Sequence, residues 1–152
     1  MHSKHLKSTL LAHCETYVKD RYERIQKTIS DIQHALTSET KSTAGDKHET
    51  GRAMLQLERE KAGKQLAEVQ KLQETIAKIS TEQESGPVRL GSVVMTSQHN
   101  YFISISVGEI KMDQLSFYAI AANSPIGKVL LGKTTEDVIT FNQNQFQIKE
   151  VF

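Results

Sequence analysis

The sequence predicts an α+β chain in which an N-terminal antiparallel α-helical coiled-coil hairpin is followed by a small antiparallel β-sheet domain with one short helix. Three observations point there. Splitting the chain after Gly86 puts 27 charged residues in the first 86 and 10 in the last 66, about 31% against about 15%. Both prolines and all five phenylalanines lie after that split, and a long proline-free, charge-rich stretch favours helix. Apolar residues recur every seven positions in the first part and in short β-branched or aromatic runs in the second.

Leu11, Val18, Ile25 and Ile32 form one sevenfold series and Tyr22, Ile29 and Leu36 another, which together make an a/d seam. A second seam has Leu55, Ala62, Val69 and Ile76 in one series and Leu72 and Ile79 in the other, with Glu58 and Gln65 weakening its first turns. Residues 37–45 (TSETKSTAG) hold no apolar side chain larger than Ala and are rich in turn formers, so the chain should reverse there. Arms of roughly 30 residues would each extend about 45 Å. Gly63 costs the second arm about 1 kcal/mol relative to Ala. Beyond Pro87, residues 88–96, 101–107 and 117–122 read as strands, and 137–141 with 145–152 as a hairpin across Asn142-Gln143-Asn144. One helix of about seven residues is signalled by Ser124 as N-cap, Pro125 at the first helical position and Gly132 just past the end. The expected domains are 1–84, with a tip near 40–51, and 85–152.

Composition narrows the function classes. The formal net charge is +1 and neither half is biased, so nothing draws the chain in bulk to nucleic acid or anionic lipid. A single cysteine, Cys14, removes internal disulfides and multi-cysteine zinc sites; near the seam it reads as a small buried hydrophobe. No apolar run approaches the ~18 residues of a membrane span, and the opening Met1-His-Ser-Lys-His lacks the apolar stretch of a secretory signal. The expected location is the cytoplasm, with no membrane association. The sequence carries no GxxxxGK[ST], GxGxxG or GxSxG motif, and its six histidines have no metal-ligand spacing.

The tip segment Gly45-Asp46-Lys47-His48-Glu49 places two carboxylates three residues apart where the second helix starts. Asp46 as N-cap with Glu49 at N3 is a capping-box-like arrangement. The same pair could instead offer hard oxygen ligands to a Mg²⁺ held mainly by another molecule. Arg52, Arg59, Lys61 and Lys64 follow, interspersed with Glu58 and Glu60; they read as a solvated face, with a nucleic-acid track as the alternative.

The order of parts, together with NSPIGKVLLGKTTEDVI, resembles the bacterial transcript-cleavage factors of the GreA/GreB family. Ser124, Pro125, Ile126, Leu130, Leu131, Gly132, Lys133 and Asp137 match that family's C-terminal signature, with Glu136 where Gly is common. Gly45-Asp46-x-x-Glu49 matches its GDxxEN tip. The resemblance implies an FKBP-like C-terminal domain docking on DNA-dependent RNA polymerase, and a coiled coil entering the secondary channel of that enzyme. It implies that Asp46 and Glu49 help position a Mg²⁺ shared with the polymerase active site, so that the extruded 3′ end of backtracked RNA is cleaved. Asn123, Ser124 and Pro125 are then the polymerase-binding residues. The chain is expected to be a monomeric accessory factor, no enzyme itself, with no tightly bound cofactor. It departs from the family at Thr50-Gly51-Arg52-Ala53, where Asn-Ala and then an aromatic are usual, which leaves open a channel-binding regulator or inhibitor that does not promote cleavage. A peptidyl-prolyl isomerase reading rests on the implied fold alone.

Overall fold

A computed structural model describes the main chain of residues 2–41 and 45–152, and the side chains of residues 5–39 and 50–152. Helix α1 spans His2–Lys41 and α2 spans Gly45–Ala77. They form the expected hairpin, followed by a six-stranded, mostly antiparallel sheet and one short helix. The strands are β1 (Val93–Thr96), β2 (Asn100–Ser104), β3 (Gly108–Met112), β4 (Leu115–Ala121), β5 (Val138–Phe141) and β6 (Asn144–Val151), and α3 covers Pro125–Leu130.

The chain divides into two compact units, Met1–Tyr17 with Glu74–Phe152, and Val18–Gln73. In the second unit the heptad reading holds. Val18, Ile32, Ala62 and Val69 are buried, Tyr22, Ile25, Ile29, Leu36, Leu55 and Leu72 are half-buried, and Glu58 and Gln65 are exposed. α1 runs further than expected and continues through residues 37–41. Thr37 is tolerated there because its Oγ1 donates to the Gln33 carbonyl one turn back (3.0 Å), which satisfies the hydroxyl within the helix.

In the first unit the buried face of α1 is Lys7, Leu10 and Cys14 rather than one beginning at Leu11, which is half-buried. The spacing of three and four residues is helical, but the surface being covered belongs to the sheet. Register places Val93, Phe102 and Ala119 on one face, with Phe117 opposite Ile110. Cys14 Sγ lies 3.6 Å from Ser104 Oγ, and Ile79 just past α2 reaches Gly91. The other face carries Val94, Tyr101, Ile103, Ile139, Phe146 and Ile148, packed with Leu130 of α3.

Sheet order is β3-β4-β2-β1-β6-β5. Two features depart from the expected all-antiparallel arrangement. β3, which the sequence reading did not contain, forms the edge and buries only Ile110, while Glu109 and Lys111 face solvent as edge strands require. β4 therefore returns between β3 and β2 and runs parallel to β2, from Asn100↔Phe117 to Ser104↔Ala121. Residues 88–92 are not strand, and a turn falls at 90–91. The β5–β6 hairpin closes with Phe141↔Asn144 paired, so its turn is Asn142-Gln143 alone, at φ 51° and 68°, the pattern of a type I′ turn.

The short helix α3 is seated through Gly127. A Cβ there would meet the carbonyl oxygen of Ala121 and lie 2.7 Å from that of Ala122. Both oxygens belong to the main chain, so relief requires α3 to move off the sheet. Gly127→Ala is expected to cost about 1–3 kcal/mol, as overpacking typically does, read as a lowered urea midpoint; an unchanged midpoint would contradict this seating.

Candidate functional site

The tip acids lie where the hairpin reverses. α2 starts at Gly45, so Asp46 and Glu49 both belong to its first turn, and Asp46 sits one residue inside the helix rather than preceding it as N-cap. Helix ends vary by a residue or two with the criterion used. The side chains of both residues lie outside the described residues, as does that of His48. At a spacing of three, two helical residues share a face. Two carboxylates suit a hard divalent cation in donor chemistry, but they are too few to complete six-coordination. Among the described residues no three His, Cys, Asp or Glu side chains come together as a metal site. His5, His13, His34 and His99 are exposed, as are Arg52, Lys61 and Lys64 with Glu58 and Glu60 between them.

At the other candidate site, nearly every signature residue has a structural task. Ser124 caps α3 twice over: its Oγ accepts from Gly127 N (3.1 Å) and donates to the Ala121 carbonyl (2.6 Å). Pro125 occupies the first helical position, where the absence of an N–H costs nothing. Leu130 is fully buried in the core. Gly132 takes φ 81°, and its N–H donates to the Val88 carbonyl (2.9 Å) while Val88 N–H donates to the Lys133 carbonyl (2.8 Å). Asp137 Oδ2 accepts from Thr134 N (2.8 Å) and Oγ1 (3.3 Å). Glu136 adopts φ 77°, a left-handed conformation that glycine enters without the Cβ penalty, which explains in physical terms why a glycine suits that position. Asn123 and Pro125 are left exposed and Ser124 half-buried.

One grouping was not legible in the sequence. His99, Tyr101, Tyr118 and Phe146 cluster, with ring centroids 5.3 to 6.5 Å apart. Tyr101 and Tyr118 meet because β2 and β4 pair in parallel, and no local signal announces that pairing. Tyr101 belongs to the core cluster and burial pushes its phenol up, with Tyr118 adding to the shift.

Two buried polar groups accompany α1. Burial raises Cys14 above its ordinary value, against the opposing hydrogen bond from Ser104, so the thiol stays protonated and inert. Lys7, only 2% exposed, donates from Nζ to the Glu82 carbonyl (3.0 Å). Burial lowers its pKa, Glu84 opposes that shift and Arg89 adds to it; Arg89 and Glu84 themselves pair at 2.7 Å.

The fold and its sites define a helical hairpin with an acid-bearing tip, continuous with a sheet unit. No family model and no curated protein matches the chain. Among solved structures it is similar to that of the transcription factor Gfh1, at 15% identity over 93% of this chain and 92% of that one, with a TM-score of 0.34. No helix among the described residues is long and apolar enough to cross a membrane.

The depressed Lys7 has a signed consequence. Between its lowered folded pKa and the ordinary 10.5, the unfolded chain binds the extra proton, so stability rises with pH across that window. Wild type should gain stability relative to Lys7→Met as pH climbs from neutral toward 10.5, because the variant lacks this gain while sharing every other titration. Urea unfolding of both proteins across that range tests it, and parallel curves would contradict it.

Proposed function

We propose that this chain is a transcription elongation factor that enters the RNA polymerase secondary channel and stimulates Mg²⁺-dependent cleavage of backtracked RNA. The observation that carries this reading is the pair Asp46 and Glu49 in the first turn of α2, at the reversal of a heptad-patterned hairpin. From Val18 to Lys41 at 1.5 Å per residue, the first arm of the hairpin unit extends about 36 Å, which gives the acids reach. When bound, the shared ion would supply charge stabilisation to the attacking and leaving oxygens of an in-line displacement. The carboxylates of Asp46 and Glu49 would contribute oxygen ligands to it, and the polymerase would furnish the remaining ligands and the reacting groups. The chain then acts as a monomeric, cytoplasmic accessory factor and is not itself the enzyme.

Asn123 and Pro125, both exposed, would touch the polymerase, while Ser124 positions them through its two cap bonds. The unit that carries the sheet, residues 1–17 with 74–152, would be the docking module, with the hairpin unit 18–73 as the probe.

The test is RNA cleavage in a stalled, backtracked complex of the matching polymerase, with polymerase binding measured separately. Asp46→Asn/Glu49→Gln should fall to the factor-free cleavage rate while binding is retained. Equal stimulation by wild type and variant would remove the assigned role.

A second reading is a channel-binding regulator that does not promote cleavage. It is favoured by Thr50-Gly51-Arg52-Ala53, and a Cβ on Gly51 would stand 3.3 Å from Glu39 Oε1, so glycine gives that side chain room beside the start of α2. This reading expects slowed RNA synthesis and displacement of a genuine cleavage factor; absence of competition at saturating protein would reject it.

A further inference from the structure

The helix-side face of the sheet is open at one end. Between the first turns of α1, the β3–β4 hairpin and the ends of β1 and β6 lies a groove of about 590 Å³, within the range of clefts that take ligands. Phe117 and Phe152 form its buried floor, and Met95 and Met112 line it. Leu115, at the lip, is 48% exposed. Methionine is unbranched and polarizable, so it repacks around apolar anchors of different shape.

The charge of the groove is one-sided. Asp113 and Glu150 both line it, and neither makes an ion pair among the described residues. Among the described lining residues, His5 is the one able to carry positive charge. The trough is more open than enclosed, so a small molecule would remain partly in water, whereas a peptide brings its own cover. Apolar anchors flanked by cations are how a basic amphipathic segment engages an acidic, methionine-lined groove.

We propose that this groove binds a basic amphipathic peptide segment of a partner protein, with an apolar side chain entering between Met95 and Met112 and flanking Lys or Arg side chains reaching Asp113 and Glu150. The site is separate from Asn123 and Pro125: Leu115 begins β4 and Ala121 ends it, and those residues follow the far end. It does not depend on the channel reading.

The experiment selects a random 12-residue peptide library on the immobilised full chain and measures the enriched peptides, synthesised with a fluorophore, by anisotropy. Two variants accompany wild type: Asp113→Asn/Glu150→Gln, which keeps side-chain shape and suits the φ of 53° at Asp113, and Leu115→Lys at the exposed lip. Matched unfolding midpoints show that both variants are folded. The expected peptides carry an apolar anchor between Lys or Arg, bind the amide variant about tenfold more weakly, as loss of charge pairs implies, and fail to bind Leu115→Lys. Peptides that bind all three proteins equally, or an acidic consensus, would overturn the proposal. So would self-association of the wild type that Leu115→Lys abolishes, since the groove would then be an interface between copies of this chain.

Discussion

The sheet is apolar on both faces, and the rest of the first unit follows from that. Phe102 and Ile103 are consecutive in β2 and both fully buried, yet alternate residues of a strand point to opposite sides. One cover is therefore insufficient. α3 packs on the side of Ile103, and α1 and the end of α2 supply residues for the side of Phe102. Each large apolar side chain kept from water contributes about 1.5–3 kcal/mol, so a bare face would forfeit several such terms at once. The same requirement explains why the buried stripe of α1 begins with Lys7 and Leu10: in its first turns the helix serves the sheet before it serves its partner helix.

Much of this was readable in the sequence because it is encoded locally. The seam depends on a sevenfold repeat, and the exposed Glu58 and Gln65 lie where that repeat weakens. α3 was legible from three residues, Ser124, Pro125 and Gly132, each with a conformational reason to be there. What was not legible is non-local. Nothing near Gly108 or Leu115 states that β4 will insert beside β2 in parallel, and a five-residue edge strand with one buried side chain gives almost no alternation to detect. The extra turn of α1 was hidden because Thr37 and its neighbours favour loops unless a helix carbonyl accepts their hydroxyl.

The candidate sites differ in the same way. The segment from Ser124 to Asp137 is dense with residues that make α3, its cap and the turn after it, so its likeness to a known signature reports architecture more directly than contact. Asn123 and Pro125 are exposed, as are Lys128 and residues 131–136, and these are the positions free to add recognition. The acids at the tip stand in the opposite position. In the first turn of α2 a capping role could be filled by many residues, and the choice of two carboxylates one turn apart is the chemically informative part. On the proposed reading, function is concentrated where the fold demands least.

Because the cover of the sheet is assembled from both ends of the hairpin, the unit is discontinuous in sequence: 1–17 and 74–152 belong together. A fragment cut at the Gly86-Pro87 junction would keep every strand and lose Leu10, Cys14, Ile76 and Ile79, exposing the face of Phe102 and Phe117 as a contiguous apolar patch of the kind that drives association. Anyone grafting this module onto another scaffold would have to carry the opening helix turns with it, or replace them with an equally apolar lid.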